Sequence, residues 1–271
     1  MSVVGQRYGA GTVEALDRFA ELLRKTDAPL DEPCLLIAAH LYPGIELVGE
    51  LARLDDVTAQ VAAPTLDELR TGLFVRLGFR GDVDTYRDPA NSLLPRVLDR
   101  RLGIPITLSV LMIEVGRRLG IPLIGVGLPG HFLVGDASRR GVFIDPFDAG
   151  RVLDRTDCTH LLQRIHGPDA VLQDAHLEPS SATAIIARVL QNLRVSYLGN
   201  KDRGRLVEVL RMRSAIPGTP ATERRDLAGA LARTGRFDLA ATELDLAAAA
   251  TPGSVGDQLR EQAHQLRARL N

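Results

Sequence analysis

The sequence predicts an α+β fold: a helical N-terminal part, one buried central helix followed by a small antiparallel sheet, and a C-terminal segment made of helices alone. Three observations carry this. From Thr107 to Leu119 almost every residue is apolar, and Glu114 interrupts a run too short to span a membrane, so the segment reads as a helix inside a core. Short apolar stretches then follow, separated by Pro129-Gly130 and by the polar Asp136 to Arg140, and these read as strands. From Ser180 onward the apolar residues recur only at helical spacing.

Composition narrows the function. The 271 residues are 45% hydrophobic and 25% charged, ordinary for a globular chain able to bury a core. A net charge of −1 argues against a dedicated nucleic-acid binder and against a membrane-surface protein. With two cysteines, Cys34 and Cys158, there is no disulfide framework; both lie in apolar helical settings and are expected to be buried. Neither an arginine-rich nor a hydrophobic leader is read at the N-terminus, so the expectation is a cytoplasmic protein.

In chain order, residues 12–25, 31–54 and 64–79 read as amphipathic helices, the last with Leu66, Leu69, Leu73, Phe74 and Leu77 on one face. Tyr86 to Asn91 is a loop, with Asn91 placed to cap a helix from Ser92 to Arg100. The central helix is punctuated by Gly103 and Pro105 at its start and by Arg117, Arg118 and Gly120 at its end. Strands are expected over Ile124 to Leu128, His131 to Gly135 and Val142 to Asp145. Setting Phe132 opposite Ile144 and Val134 opposite Val142 makes one core face and places His131 opposite Asp145, with β-carbons about 5 Å apart. An imidazole oriented by a carboxylate is the base and acid of a nucleophile–base–acid triad. The other histidines show no metal-ligand spacing, so no metal or cofactor is assigned.

In the C-terminal segment, aligning Lys201-Asp202 with Gly235-Arg236 gives a 34-residue offset, and Pro217 and Pro252 lie 35 apart, the period of paired-helix repeats; a last helix is read from Gln258 to Leu270. Two such units are fewer than a free-standing solenoid needs, so residues 180–271 are expected to pack on residues 1–179 through Leu190, Leu193 and Tyr197.

A helix ending in Leu119-Gly120-Ile121-Pro122, a strand opening on His131 and another ending in Asp145-Pro146 resemble the transglutaminase-like core, a relative of the papain-like fold. The closer resemblance is to the bacterial SirB-type transglutaminase-like proteins, in which that core (here 1–179) precedes tetratricopeptide repeats (here 180–271). It extends to Tyr42-Pro43, Leu54-Asp55, Leu73-Phe74, Gly78-Phe79, Asn91-Ser92 and Ala187 to Leu198. The resemblance makes His131 and Asp145 the catalytic pair, with Asn91 and Arg101 at motif positions. It also implies a nucleophilic cysteine two residues after Gly103, where this chain has Pro105, as the SirB-type group does. Proline brings neither a nucleophilic atom nor a backbone N–H.

Two readings follow. In one, the protein binds or regulates a protein or peptide partner with a degenerate active site. In the other, His131 and Asp145 serve Ser109, Thr107 or a water molecule in amide hydrolysis or acyl transfer.

Overall fold

A computed structural model describes residues 10–25 and 28–269. In their described residues, the chain falls into two compact units, Asp27–Val189 and a second made from Met1–Thr26 with Leu190–Asn271. This differs from a division after residue 179. Helix α1 (Ala10–Leu22) groups with the C-terminal helices, and the chain passes between units inside a helix.

In the larger unit, α2 (Asp31–Leu41) and α3 (Leu47–Ala59) replace the single helix expected over 31–54. Pro43 cannot donate into a helix, and Gly44 at φ +105° turns the chain, so Tyr42-Pro43-Gly44 breaks the pattern that the apolar spacing carries across it. Helix α4 (Leu66–Arg70), capped by the Thr65 hydroxyl accepting from the Glu68 N–H at 3.2 Å, widens into a π-turn over Thr71–Arg76. Two-residue strands β1 (Arg80–Gly81) and β2 (Leu102–Gly103) pair in parallel, with a 3-10 turn at Pro89–Ser92 and helix α5 (Leu94–Arg100) between them in sequence.

Helix α6 (Pro105–Arg118) is the central helix, and every residue from Pro105 to Gly116 is buried. Removing Leu108, Leu111 or Val115 from water contributes about 1.5–3 kcal/mol each. Glu114 is buried with them and accepts from the Leu30 N–H at 2.7 Å, while Arg117 and Arg118 bridge it to Asp31. Burial, joined by the Asp31 charge, lifts the Glu114 carboxyl above its usual range. The same burial acts on Asp31, but the Arg118 guanidinium and the Glu32 N–H hold it below its usual value.

Four strands form an antiparallel meander in chain order: β3 (Leu123–Val126), β4 (Leu133–Asp136), β5 (Phe143–Asp145) and β6 (Arg151–Leu153). Helix α6 packs on β3 and β4. Leu133, Phe143 and Leu153 share one face and cluster with Cys158, Leu161 and Leu162 of α7 (Arg155–His166); Val134 and Ile144 lie on the other face, also fully buried.

The β4–β5 register is two residues from the expected one. Val134 pairs with Ile144 and Gly135 with Phe143. A two-residue slip keeps every side chain on its face, so alternation alone cannot distinguish the two pairings. The turn decides. Asp136 donates its N–H to the Val142 carbonyl at 3.2 Å, and its carboxylate accepts from the Ser138 N–H and hydroxyl and from Arg139 Nε. Asp136 therefore stays in the ladder, and the loop moves to 137–141.

In the smaller unit, α9 (Arg203–Ala215), α10 (Ala221–Arg233), α11 (Phe237–Ala249) and α12 (Ser254–Ala268) pack in succession, with α1 against α9. Helices α9 and α11 begin 34 residues apart and are each 13 residues long. The equivalent turns before them use left-handed backbone at Lys201 (φ +58°) and Gly235 (φ +76°). Helix α8 (Ala182–Gly199) contributes Leu190, Leu193 and Tyr197, all buried, to this unit. The expected helix end at Leu270 lies outside the described residues. Among the described residues no helix is long and apolar enough to cross a membrane.

Candidate functional site

The start of α6 is held by a polar hub. Asp82 follows β1 and accepts from the Thr85 N–H (2.8 Å), the Thr85 hydroxyl (2.6 Å) and Arg100 Nη2 (3.1 Å). Burial alone would raise this carboxyl, but the two Thr85 bonds, Asn91 and Arg100 outweigh it and hold it at about 2. Arg100 Nη1 also donates to Asn91 Oδ1 at 3.0 Å, and Asn91 Nδ2 donates to the Thr85 carbonyl at 2.8 Å. Asn91, fully buried in the 3-10 turn, thus ties loop to helix. It does not cap α5, whose N-cap is Leu93. The Asn91 carbonyl accepts the Thr107 hydroxyl at 2.5 Å, and Thr107 Oγ1 in turn accepts from the Ile104 N–H at 3.2 Å. Pro105 opens α6 behind the extended Ile104.

The His131–Asp145 pair assembles further along the chain. His131 Nε2 donates to both Asp145 oxygens at 2.9 Å, and Asp145 Oδ1 also accepts from the N–H groups of Phe147 (3.0 Å) and Asp148 (3.3 Å). His131 lies before β4 rather than in it, so the contact runs from the turn to the end of β5 and not across a paired rung. The other ring nitrogen, Nδ1, bonds to none of the described residues. Phe147 stands edge-on to His131, ring centres 6.0 Å apart, and edge-on to Tyr86 at 5.9 Å. Gly81 admits that ring: a β-carbon there would lie 2.5 Å from Phe147 Cδ2. Behind His131, Arg188 Nη2 donates to the carbonyls of Leu128 (3.1 Å) and His131 (2.6 Å), with its guanidinium over the Phe132 ring.

The remaining expected site residues stand apart. Ser109 is fully buried within α6, and its hydroxyl has no hydrogen-bond partner among the described residues. Arg101 is exposed, in a left-handed C-cap at φ +56°; its N–H donates to the Val97 carbonyl at 2.8 Å and its carbonyl accepts from the Arg80 N–H at 3.0 Å. The structural role goes to its neighbour Arg100. Both cysteines are buried; burial pushes the Cys158 thiol up to about 12, with help from nearby carboxylates, and Cys34 further still. Among the described residues no group of three or more His, Cys, Asp or Glu side chains is placed to hold a metal. Asp82, Arg100, Tyr86, Phe147 and Arg188 were not read from the sequence. Asp82-x-x-Thr85 carries a turn signal that could have located the first, whereas Arg188 lies 57 residues from His131 with no local mark.

The sequence profile described as the transglutaminase-like superfamily matches residues 12–191. The chain belongs to that superfamily. This transglutaminase-like protein is 39% identical to a UPF0162 protein of Xylella fastidiosa (strain Temecula1) over 188 residues, 65% of this chain and 66% of that one. It is 37% identical to a UPF0162 protein of Pseudomonas aeruginosa over 182 residues, 64% and 67% of the two chains. The match thus spans about two thirds of these bacterial relatives. A stretch of 123 residues, 42% of this chain, is 32% identical to mouse F-box only protein 21, where it makes up 19% of the length. No solved structure matches the chain.

Proposed function

We propose that this is a non-catalytic, SirB-type transglutaminase-like protein of the cytoplasm, which uses the His131 site and a tetratricopeptide-like C-terminal unit to bind and regulate a protein or peptide. One observation carries the reading: Pro105 opens α6 at the position that the resemblance gives to the nucleophilic cysteine. It has no thiol and no N–H to lend an oxyanion. Among the described residues the hydroxyls and thiols the sequence offered are engaged or buried. The Thr107 hydroxyl is engaged in donating a hydrogen bond to the Asn91 carbonyl, Ser109 is sealed in the helix, and both thiols are buried and pushed up. The 34-residue spacing of α9 and α11 supports the tetratricopeptide-like description. The match to F-box only protein 21 supports a module that works in differently built proteins.

A second reading has one observation in its favour: with Nε2 held by Asp145, His131 Nδ1 is left to act as a base on water, as in amide hydrolysis or acyl transfer. A fluorophosphonate probe, together with an assay of amide turnover on a glutamine-containing peptide, separates the two. Neither Ser109 nor Thr107 should be labelled, and the peptide should stay intact. Labelling or turnover that disappears in His131→Ala overturns the binding reading.

A further inference from the structure

We propose that Arg188 and Tyr86 form an anion-recognition pair beside His131, and that the ligand they receive carries a single carboxylate next to an apolar or aromatic group. The proposal deepens the binding reading given above, on which it rests for the nature of the site.

Arg188 is unlike the other half-buried cations of its unit. Arg100 meets Asp82, Arg118 meets Asp31, Asp55 and Glu114, and each ion pair is made within the fold. Arg188 meets no carboxylate among the described residues. Two of its five N–H groups are spent on the Leu128 and His131 carbonyls, and the other three find no acceptor there. A guanidinium taken partly out of water without a counter-charge is costly, and burial lowers its proton affinity accordingly. Tyr86 reaches the same site through Phe147, which stands edge-on to it and to His131; burial raises the phenol, which stays protonated and able to donate.

The surroundings define the ligand. Tyr86 is 44% exposed and Phe147 bridges it to His131, which is 9% exposed, so an aromatic, solvent-facing surface adjoins the largely buried imidazole. Asp145 is committed to His131 and to two backbone N–H groups. One free cation against one incoming charge favours a monoanion; a phosphate would bring a second negative charge to a half-buried site that already holds the Asp145 carboxylate. An apolar group would stack on Tyr86 and Phe147, its carboxylate taking the three open N–H groups and the phenol.

The full chain with ring-labelled histidine is titrated with hippurate, an aromatic amide ending in a carboxylate, with its neutral amide hippuramide, and with phenyl phosphate. The His131 ring signal should shift saturably with hippurate, and hippuramide should bind at least about tenfold more weakly, the cost of losing one charge-assisted contact. Arg188→Gln should bring hippurate down to the level of hippuramide. Tyr86→Phe, at an exposed position, should fall between. Equal binding of the two probes, no saturable binding of hippurate, or tighter binding of phenyl phosphate overturns the proposal. Should Arg188→Gln not fold, the probe comparison on the unaltered chain and Tyr86→Phe still decide it. Turnover of a bound amide would defeat the non-catalytic reading and leave this one standing.

Discussion

Replacing Pro105 with cysteine tests whether α6 begins where a nucleophile belongs. The substitution should be tolerated, because the first N–H of a helix has no intrahelical partner in any case; losing the pre-set φ of proline costs about 0.4–1 kcal/mol. The new thiol would sit at the positive end of a 14-residue helix, and the resemblance to the family puts it within reach of His131. A free thiol titrates near 8.5, and a helix N-terminus with a histidine partner brings that down by about one unit or more. At pH 7 such a group is about half thiolate, while Cys158, pushed up to about 12, is thiolate in only about one molecule in 10⁵. Lower basicity weakens the engineered thiolate by about a hundredfold over that span, leaving a net advantage of about a few hundredfold before the burial of Cys158 is counted. Iodoacetamide alkylation, followed by peptide mass spectrometry across pH 5–10, reads this directly. Residue 105 should dominate the labelling with an apparent pKa near 7, and His131→Ala in the same background should raise that value. An apparent pKa at or above 8.5, indifferent to His131, would show that residue 105 is not the nucleophile position.

Asp82→Asn should cost about 2 kcal/mol at pH 7, since a carboxyl lowered to about 2 in the folded state binds its proton more weakly there than when unfolded. That stabilisation is present above the unfolded value near 4 and is lost between about pH 4 and 2, so urea unfolding at pH 7 and pH 3 should show a pH-dependent gap between the two proteins; an equal cost at both would refute the assignment. Ser109→Ala removes a buried hydroxyl that has no partner among the described residues and should stabilise the protein by up to about 1 kcal/mol. A loss in thermal unfolding instead would mean that the hydroxyl is bonded. Gly81→Ala should drive Phe147 off its seat, costing about 1–3 kcal/mol and shifting the His131 ring resonances; an unshifted spectrum would separate Phe147 from the site.

The sequence by itself determined what depends on short-range pattern. The apolar run after Pro105 had to be a buried helix, and alternation after Gly120 had to give strands whose faces are those observed, because burial selects period 3.6 and period 2 directly. His131 and Asp145 were legible for the same reason: both flank strands that the pattern locates. What alternation cannot carry is a shift by a whole period, so the β4–β5 register waited on the bonds that Asp136 makes to Ser138 and Arg139. The break at Tyr42-Pro43-Gly44 was visible as composition, yet apolar spacing ran through it and concealed two helices as one. The rest of the site was decided only in three dimensions. The Asp82–Arg100–Asn91–Thr107 hub and the Arg188 clamp on the His131 carbonyl join residues far apart in sequence, and the pairing of a polar group with a distant partner leaves no periodic trace along the chain. Tertiary packing likewise grouped α1 with the C-terminal helices, because an amphipathic helix is written to bury one face and its sequence does not say against what.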